Sequence, residues 1–170
     1  MRLSPVILFP SMLFLLCGCA HDKEAAKIFG NMTYFVSNPF DRQKIEEVTL
    51  INEEYEDTFL NVYYGNKYVY GDFNHDRLKD AAVVIFENHG GNLDEYELAF
   101  LINDGHKLVH KASRDLDAWA VVNSLREKDG KVIVDMYVHQ EGDCNAGPSK
   151  RVRNVYEYTG SDDFPADKKL

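Results

Sequence analysis

Cysteine is scarce in this chain: there are three among 170 residues. Cys17 and Cys19 stand together near the start and Cys144 is alone, which excludes a disulfide-stapled scaffold. Zinc-type spacing is missing as well. The six histidines are scattered singly, without the H-E-x-x-H or H-x-H pattern that brings two imidazoles to one ion, which argues against a transition-metal enzyme. Neither G-x-x-x-x-G-K nor G-x-S-x-G occurs, so phosphate-loop and nucleophile-elbow chemistry have no support. Positive charge is also short, with 19 Lys and Arg against 28 Asp and Glu and a net charge of -9. No basic cluster exceeds Lys150-Arg151 with Arg153, and such a chain repels phosphate backbones; nucleic acid is excluded as a partner. Long apolar periods of 3.6 residues are absent, and with them any helical bundle.

What is present begins with a leader. Met1-Arg2 forms a short positive start, and an apolar run from Leu3 to Leu16 follows, interrupted by Pro5 and Pro10. Cys17-Gly18-Cys19-Ala20 then precedes the polar His21-Asp22-Lys23-Glu24, a signal-peptide layout. The run falls short of the roughly 20 residues of a permanent bilayer span, and its prolines oppose one. Leu16-Cys17-Gly18-Cys19 resembles the lipobox of bacterial lipoproteins. That resemblance implies a diacylglycerol thioether on Cys19, which becomes the mature N-terminus, and an address in the cell envelope. Ala20 after the cysteine implies the outer membrane, facing the periplasm, in a host with two membranes. The alternative is cleavage after Ala20 with release of a soluble secreted protein. Two or three acyl chains, at about 0.8 kcal/mol per buried methylene, would make the anchor effectively permanent.

The expected organisation is a signal peptide over 1–18, a lipidated tether over 19–31, one β domain over 32–160 and a solvated tail over 161–170. The tether holds at most a short helix around Glu24 to Phe29. From Met32 onward β-branched and aromatic runs follow one another, at 32–36, 47–51, 58–64, 67–70, 81–87, 96–102, 107–112, 118–124, 132–139 and 152–158. Gly90-Gly91-Asn92, Asn103-Asp104-Gly105 and Asp129-Gly130 carry the turn chemistry of tight hairpins. An all-β fold is expected, mainly an antiparallel meander, built as a curved sheet, a sandwich or a partly open barrel. Its core draws on Val83, Ile85, Leu98, Phe100, Val121, Val134 and Met136, with Trp119 as a packing residue.

One loop carries chemistry. Gly71-Asp72-Phe73-Asn74-His75-Asp76-Arg77-Leu78-Lys79-Asp80 has the form D-x-N-x-D-x-x-x-D and leads into Ala81-Ala82-Val83-Val84-Ile85. Oxygen side chains at alternate positions of a curled loop point inward, the way a hard cation is surrounded. Asp72, Asn74, Asp76 and Asp80 would supply side-chain oxygens and Leu78 its carbonyl. The segment resembles the calcium loops of integrin-type FG-GAP and VCBS repeats, which implies bound calcium with a structural role, at the 0.1 to 1 mM affinity of extracellular modules. Arg77 stands where that pattern has glycine. An alternative needs no metal: an Asx-rich turn that caps backbone amides, with Arg77 paired to an aspartate.

Other constellations are weaker. His139 and Cys144 are close in sequence without the oriented base and oxyanion site that a thiol nucleophile requires. The acidic run Glu53, Glu54, Glu56 and Asp57 reads as a second cation patch, an acid pair or a solvated strand edge. The functional expectation is a non-enzymatic envelope lipoprotein, held to the membrane by its lipid, whose β domain binds another envelope protein or a glycan. The alternative is an envelope hydrolase acting on polysaccharide or peptide through a carboxylate pair, to be recognised by two carboxylates in one concave pocket.

Overall fold

The computed structural model describes residues 22–41, 44–143, 147–160 and 164. The leader, Cys19, Cys144 and nearly all of the expected tail lie outside the described residues. Among the described residues a single helix, α1 (Lys23–Phe29), precedes ten strands: β1 (Thr33–Ser37), β2 (Ile45–Thr49), β3 (Glu54–Glu56), β4 (Asn61–Gly71), β5 (Asp80–Asn88), β6 (Asp94–Asn103), β7 (Leu108–Ala118), β8 (Val121–Lys128), β9 (Lys131–Val138) and β10 (Lys150–Glu157). The fold is all-β with one short helix, as the run of strand patterns predicts.

Every paired neighbour is antiparallel, and each sheet follows chain order. A five-stranded sheet runs β3-β4-β5-β6-β7, a three-stranded sheet runs β10-β9-β8, and β1 pairs with β2 alone. The hairpins fall where the turn chemistry places them. Gly90 (φ 83) and Gly91 (φ 120) link β5 to β6, Gly105 (φ 90) links β6 to β7, and Asp129 and Gly130 (φ 54 and 73) link β8 to β9.

The large sheet is covered on both faces, which explains the nearly continuous apolar run in its central strands. On β5, Ala81, Val83 and Ile85 enter a first core with Ala25, Ala26 and Phe29 of α1 and with Tyr34, Val36 and Val48 of the β1–β2 hairpin. Ala82 and Val84 enter a second core against Val132, Val134 and Met136 of the three-stranded sheet. Strand alternation sorts β6 in the same way: Ala99 and Leu101 face the first core, Leu98 and Phe100 the second. Asp22 caps α1 by accepting hydrogen bonds from the amides of Glu24 and Ala25. Although α1 falls in the expected tether, it is packed into the domain, with Phe29 fully buried among the rings of Tyr64, Tyr68 and Tyr70.

Several expectations change. The separate runs at 58–64 and 67–70 are one strand, β4, bent by an irregularity between Tyr64 and Tyr68. Gly65 sits in that bend because a Cβ there would come within 2.8 Å of the Val84 side chain. Val121 is half exposed at 50% and is not a core residue. Trp119 is not simply packed: its indole N–H donates to the carbonyl of Asn92 at 2.7 Å across the surface. The acidic run resolves in favour of an edge, since β3 borders the large sheet.

Candidate functional site

In the Asp72–Asp80 loop the carboxylates serve the backbone first. Asp80 is fully buried and accepts from the amides of Phe73 and Asn103, both at 2.8 Å, which pins the loop to the β6–β7 turn. Asp72 Oδ2 accepts from the Arg77 amide at 3.1 Å, and Asp76 Oδ1 from the Leu78 amide at 2.7 Å. Asn74 and Asp76 bond each other: the Asn74 amide donates to Asp76 Oδ2, and the Asp76 amide donates to Asn74 Oδ1. Arg77 takes up the left-handed turn expected of a glycine, with φ 71, and His75 does the same at φ 62. The exposed Arg77 guanidinium makes no ion pair among the described residues, so it does not stand in for a cation.

Gly130 of the β8–β9 turn backs this loop so closely that a Cβ there would lie 2.6 Å from the His75 ring. Whether the loop suits calcium can be judged from its oxygens. Asp72 Oδ1 is buried without a hydrogen-bond partner, an acceptor left open for a cation, and the donor set is wholly oxygen, as calcium requires. Yet Asp72, Asp76 and Asp80 do not converge: among the described residues another trio alone brings such ligand atoms within 4.8 Å of one another.

That trio is Glu87, His89 and Glu95, and the β5–β6 hairpin builds it. Register places Glu87 directly opposite Glu95, with Ile85 opposite Glu97, so all three glutamates share the face of the first core. They are buried, at 0% exposure for Glu87, 3% for Glu95 and 1% for Glu97. His89 follows two residues after Glu87 and therefore leans to the same side. Its Nε2 lies 3.1 Å from Glu87 Oε2 and 3.5 Å from Glu95 Oε2. Hydrogen bonding to Glu87 and then to Glu95 outweighs burial and raises the imidazole pKa to about 9. Glu87 Oε1 and His89 Nδ1 are buried without hydrogen-bond partners. The turn is braced from within, because the Asn88 amide donates to Asp94 Oδ1 at 2.8 Å and Asn88 Oδ1 accepts from the Gly90 amide at 3.0 Å.

Sequence reasoning overlooked this trio because it looked for two histidines. The available signal was E-x-H before a Gly-Gly turn and glutamate after it, at positions that hairpin register brings together.

A concavity of about 490 Å³ lies elsewhere, between α1, β1 and β7. Its walls are Ile28, Met32, Phe35, Leu108 and Val109, with Glu47 and Lys107 among the polar residues of the lining and His110 beneath. His110 is spoken for. Its Nδ1 accepts from the Phe35 amide at 3.0 Å, and Nε2 lies 3.1 Å from both Ala112 O and Ser113 Oγ. Burial lowers its pKa to about 3, so the ring stays neutral. Phe164 packs edge-on to it at 5.1 Å.

No helix among the described residues is long and apolar enough to cross a membrane. The chain matches no protein-family model, no curated protein and no solved structure. The calcium-loop likeness therefore rests on the residues of that loop alone.

Proposed function

We propose that this chain is an envelope lipoprotein, anchored through Cys19, whose β domain serves as a binding or accessory module for another envelope component. The observation that carries the reading is the character of the groove between α1, β1 and β7. Its walls are mainly apolar, its histidine is committed to the backbone, and among the described residues Glu47 is the one carboxylate of its lining. Such a cleft suits an apolar side chain or acyl group, and its described lining residues do not include the carboxylate pair that glycoside hydrolysis uses. The close pair Glu87 and Glu95 lies outside that groove.

The leader supports this address. Two residues separate Cys19 from the helix cap at Asp22, a span of at most about 11 Å. Lipid on Cys19 would hold the domain close to the bilayer. Calcium at Asp72, Asn74, Asp76, Leu78 and Asp80 is part of the proposal in a structural role, supported by the open Asp72 oxygen and the all-oxygen donor set.

The test is made in cells. The native chain is expected in the membrane fraction with an acylated N-terminal Cys19 by mass spectrometry, and Cys19→Ala in the soluble fraction. A photo-crosslinking residue at Leu108 is expected to give a discrete adduct that one at Arg126 does not. An unmodified mature chain beginning at His21 would replace the anchor with secretion. Equal crosslinking at the two positions would remove the groove as the binding surface.

A further inference from the structure

We propose that Glu87, His89 and Glu95 form a binding site for a divalent transition ion of the zinc class, held by one imidazole nitrogen and two carboxylates at the base of the β5–β6 hairpin. The inference depends on neither the lipid anchor nor the Asp72–Asp80 loop.

Geometry carries it. A tetrahedral zinc ion with ligands at about 2.0–2.1 Å holds its donor atoms roughly 3.3 Å apart. Here His89 Nε2 stands 3.1 Å from Glu87 Oε2 and 3.5 Å from Glu95 Oε2, close to the edges of such a polyhedron. The third edge, between the two carboxylates, is no longer than 4.8 Å. A single N–H directed at two carboxylates can be linear with only one of them. An ion at their common centre meets all three donors.

Burial points the same way. Glu87 is fully buried, and its Oε1 has no hydrogen-bond partner. An open oxygen on a buried carboxylate is costly unless a cation meets it. Strand register sets Glu87 against Glu95, and the braced Gly90-Gly91 turn carries His89 back over them, so the donors are already in place. His89 keeps 13% of its side chain exposed, which gives an ion a way in. The imidazole separates this site from a calcium site, because nitrogen favours zinc-class ions over hard cations. Three protein ligands would leave a fourth position for water or for a donor from a partner.

The test titrates the full-length chain, in detergent and stripped with a chelator, with zinc in a calorimeter. One zinc ion per chain is expected. His89→Gln and Glu87→Gln should each weaken binding by roughly a hundredfold, while Glu141→Gln, at an exposed loop carboxylate, leaves it unchanged. Binding equal to the native chain in both variants, or no saturable binding in the native chain, would overturn the proposal. If both variants fail to fold by circular dichroism, the native chain loaded with cobalt decides the matter. Strong visible bands of a low-coordinate nitrogen and oxygen site support the assignment. A thiolate charge-transfer band would place the ion on cysteine and overturn it.

Discussion

The Asp72–Asp80 loop and the Glu87–Glu95 hairpin lie on adjoining stretches of chain, and they use acidic side chains in opposite ways. In the loop, Asp72, Asp76 and Asp80 each accept a backbone amide, so their charge holds the chain in shape. In the hairpin, Glu87 and Glu95 meet at one imidazole. A motif that advertises a cation can thus spend its oxygens on folding, while an unadvertised pair gathers donors. The physical difference is where the partners come from: local turns supply amides within a few residues, whereas register across a hairpin supplies other side chains.

The largest expected effect falls on Asp80. Asp80→Ala leaves two inner amides without acceptors and should lower the unfolding free energy by about 3 kcal/mol or more, at roughly 1–3 kcal/mol for each group. Denaturant unfolding should show this loss in chelator, and a further loss of up to about 1.4–2.7 kcal/mol in calcium, where the variant also lacks a ligand. A loss confined to calcium would make Asp80 a ligand first and erase the contrast.

Next comes His110, which like Asp80 is spent on backbone. Its folded pKa of about 3 lies below the ordinary 6.5. The group therefore contributes its full stability above about 6.5, and that contribution is lost as pH falls from 6.5 towards 3, at up to about 1.4 kcal/mol per pH unit. Unfolding free energies at pH 6.5, 5.5 and 4.5 should fall with this slope, and His110→Gln should flatten it while lowering stability at neutral pH.

Calcium is expected to do less. At 10 mM, with an affinity of about 0.1 to 1 mM, it should add about 1.4–2.7 kcal/mol to the native chain and close to nothing to Asp76→Ala. Identical melting curves in calcium and chelator would leave the loop purely a backbone clamp. The smallest effect belongs to Arg77→Gly, which relieves the left-handed strain at φ 71. A gain of about 0.5–1 kcal/mol is expected, since glycine's extra freedom in the unfolded chain offsets part of the relief.

Much of the large sheet was legible because its signals are local. Gly90-Gly91, Gly105 and Asp129-Gly130 announce hairpins through the backbone angles they permit, and Ala81 to Ile85 announces a strand buried on both faces. The three-residue β3 carries no apolar signal, so only its pairing with β4 reveals it. Half of the interior also escaped. Phe29, Tyr34, Leu50 and Leu60 form a core only because α1 and the β1–β2 hairpin fold across the large sheet, a meeting of segments far apart in sequence.

The sequence alone determined the strand-rich class, the positions of the hairpin turns and the acidic loop, because each depends on neighbours within a few residues. Tertiary structure decided the rest: which face each strand buries, that Asp80 clamps two amides, that His110 is neutral, and that Glu87, His89 and Glu95 meet. Those depend on register and burial, which set distances and dielectric between groups that the linear chain keeps apart.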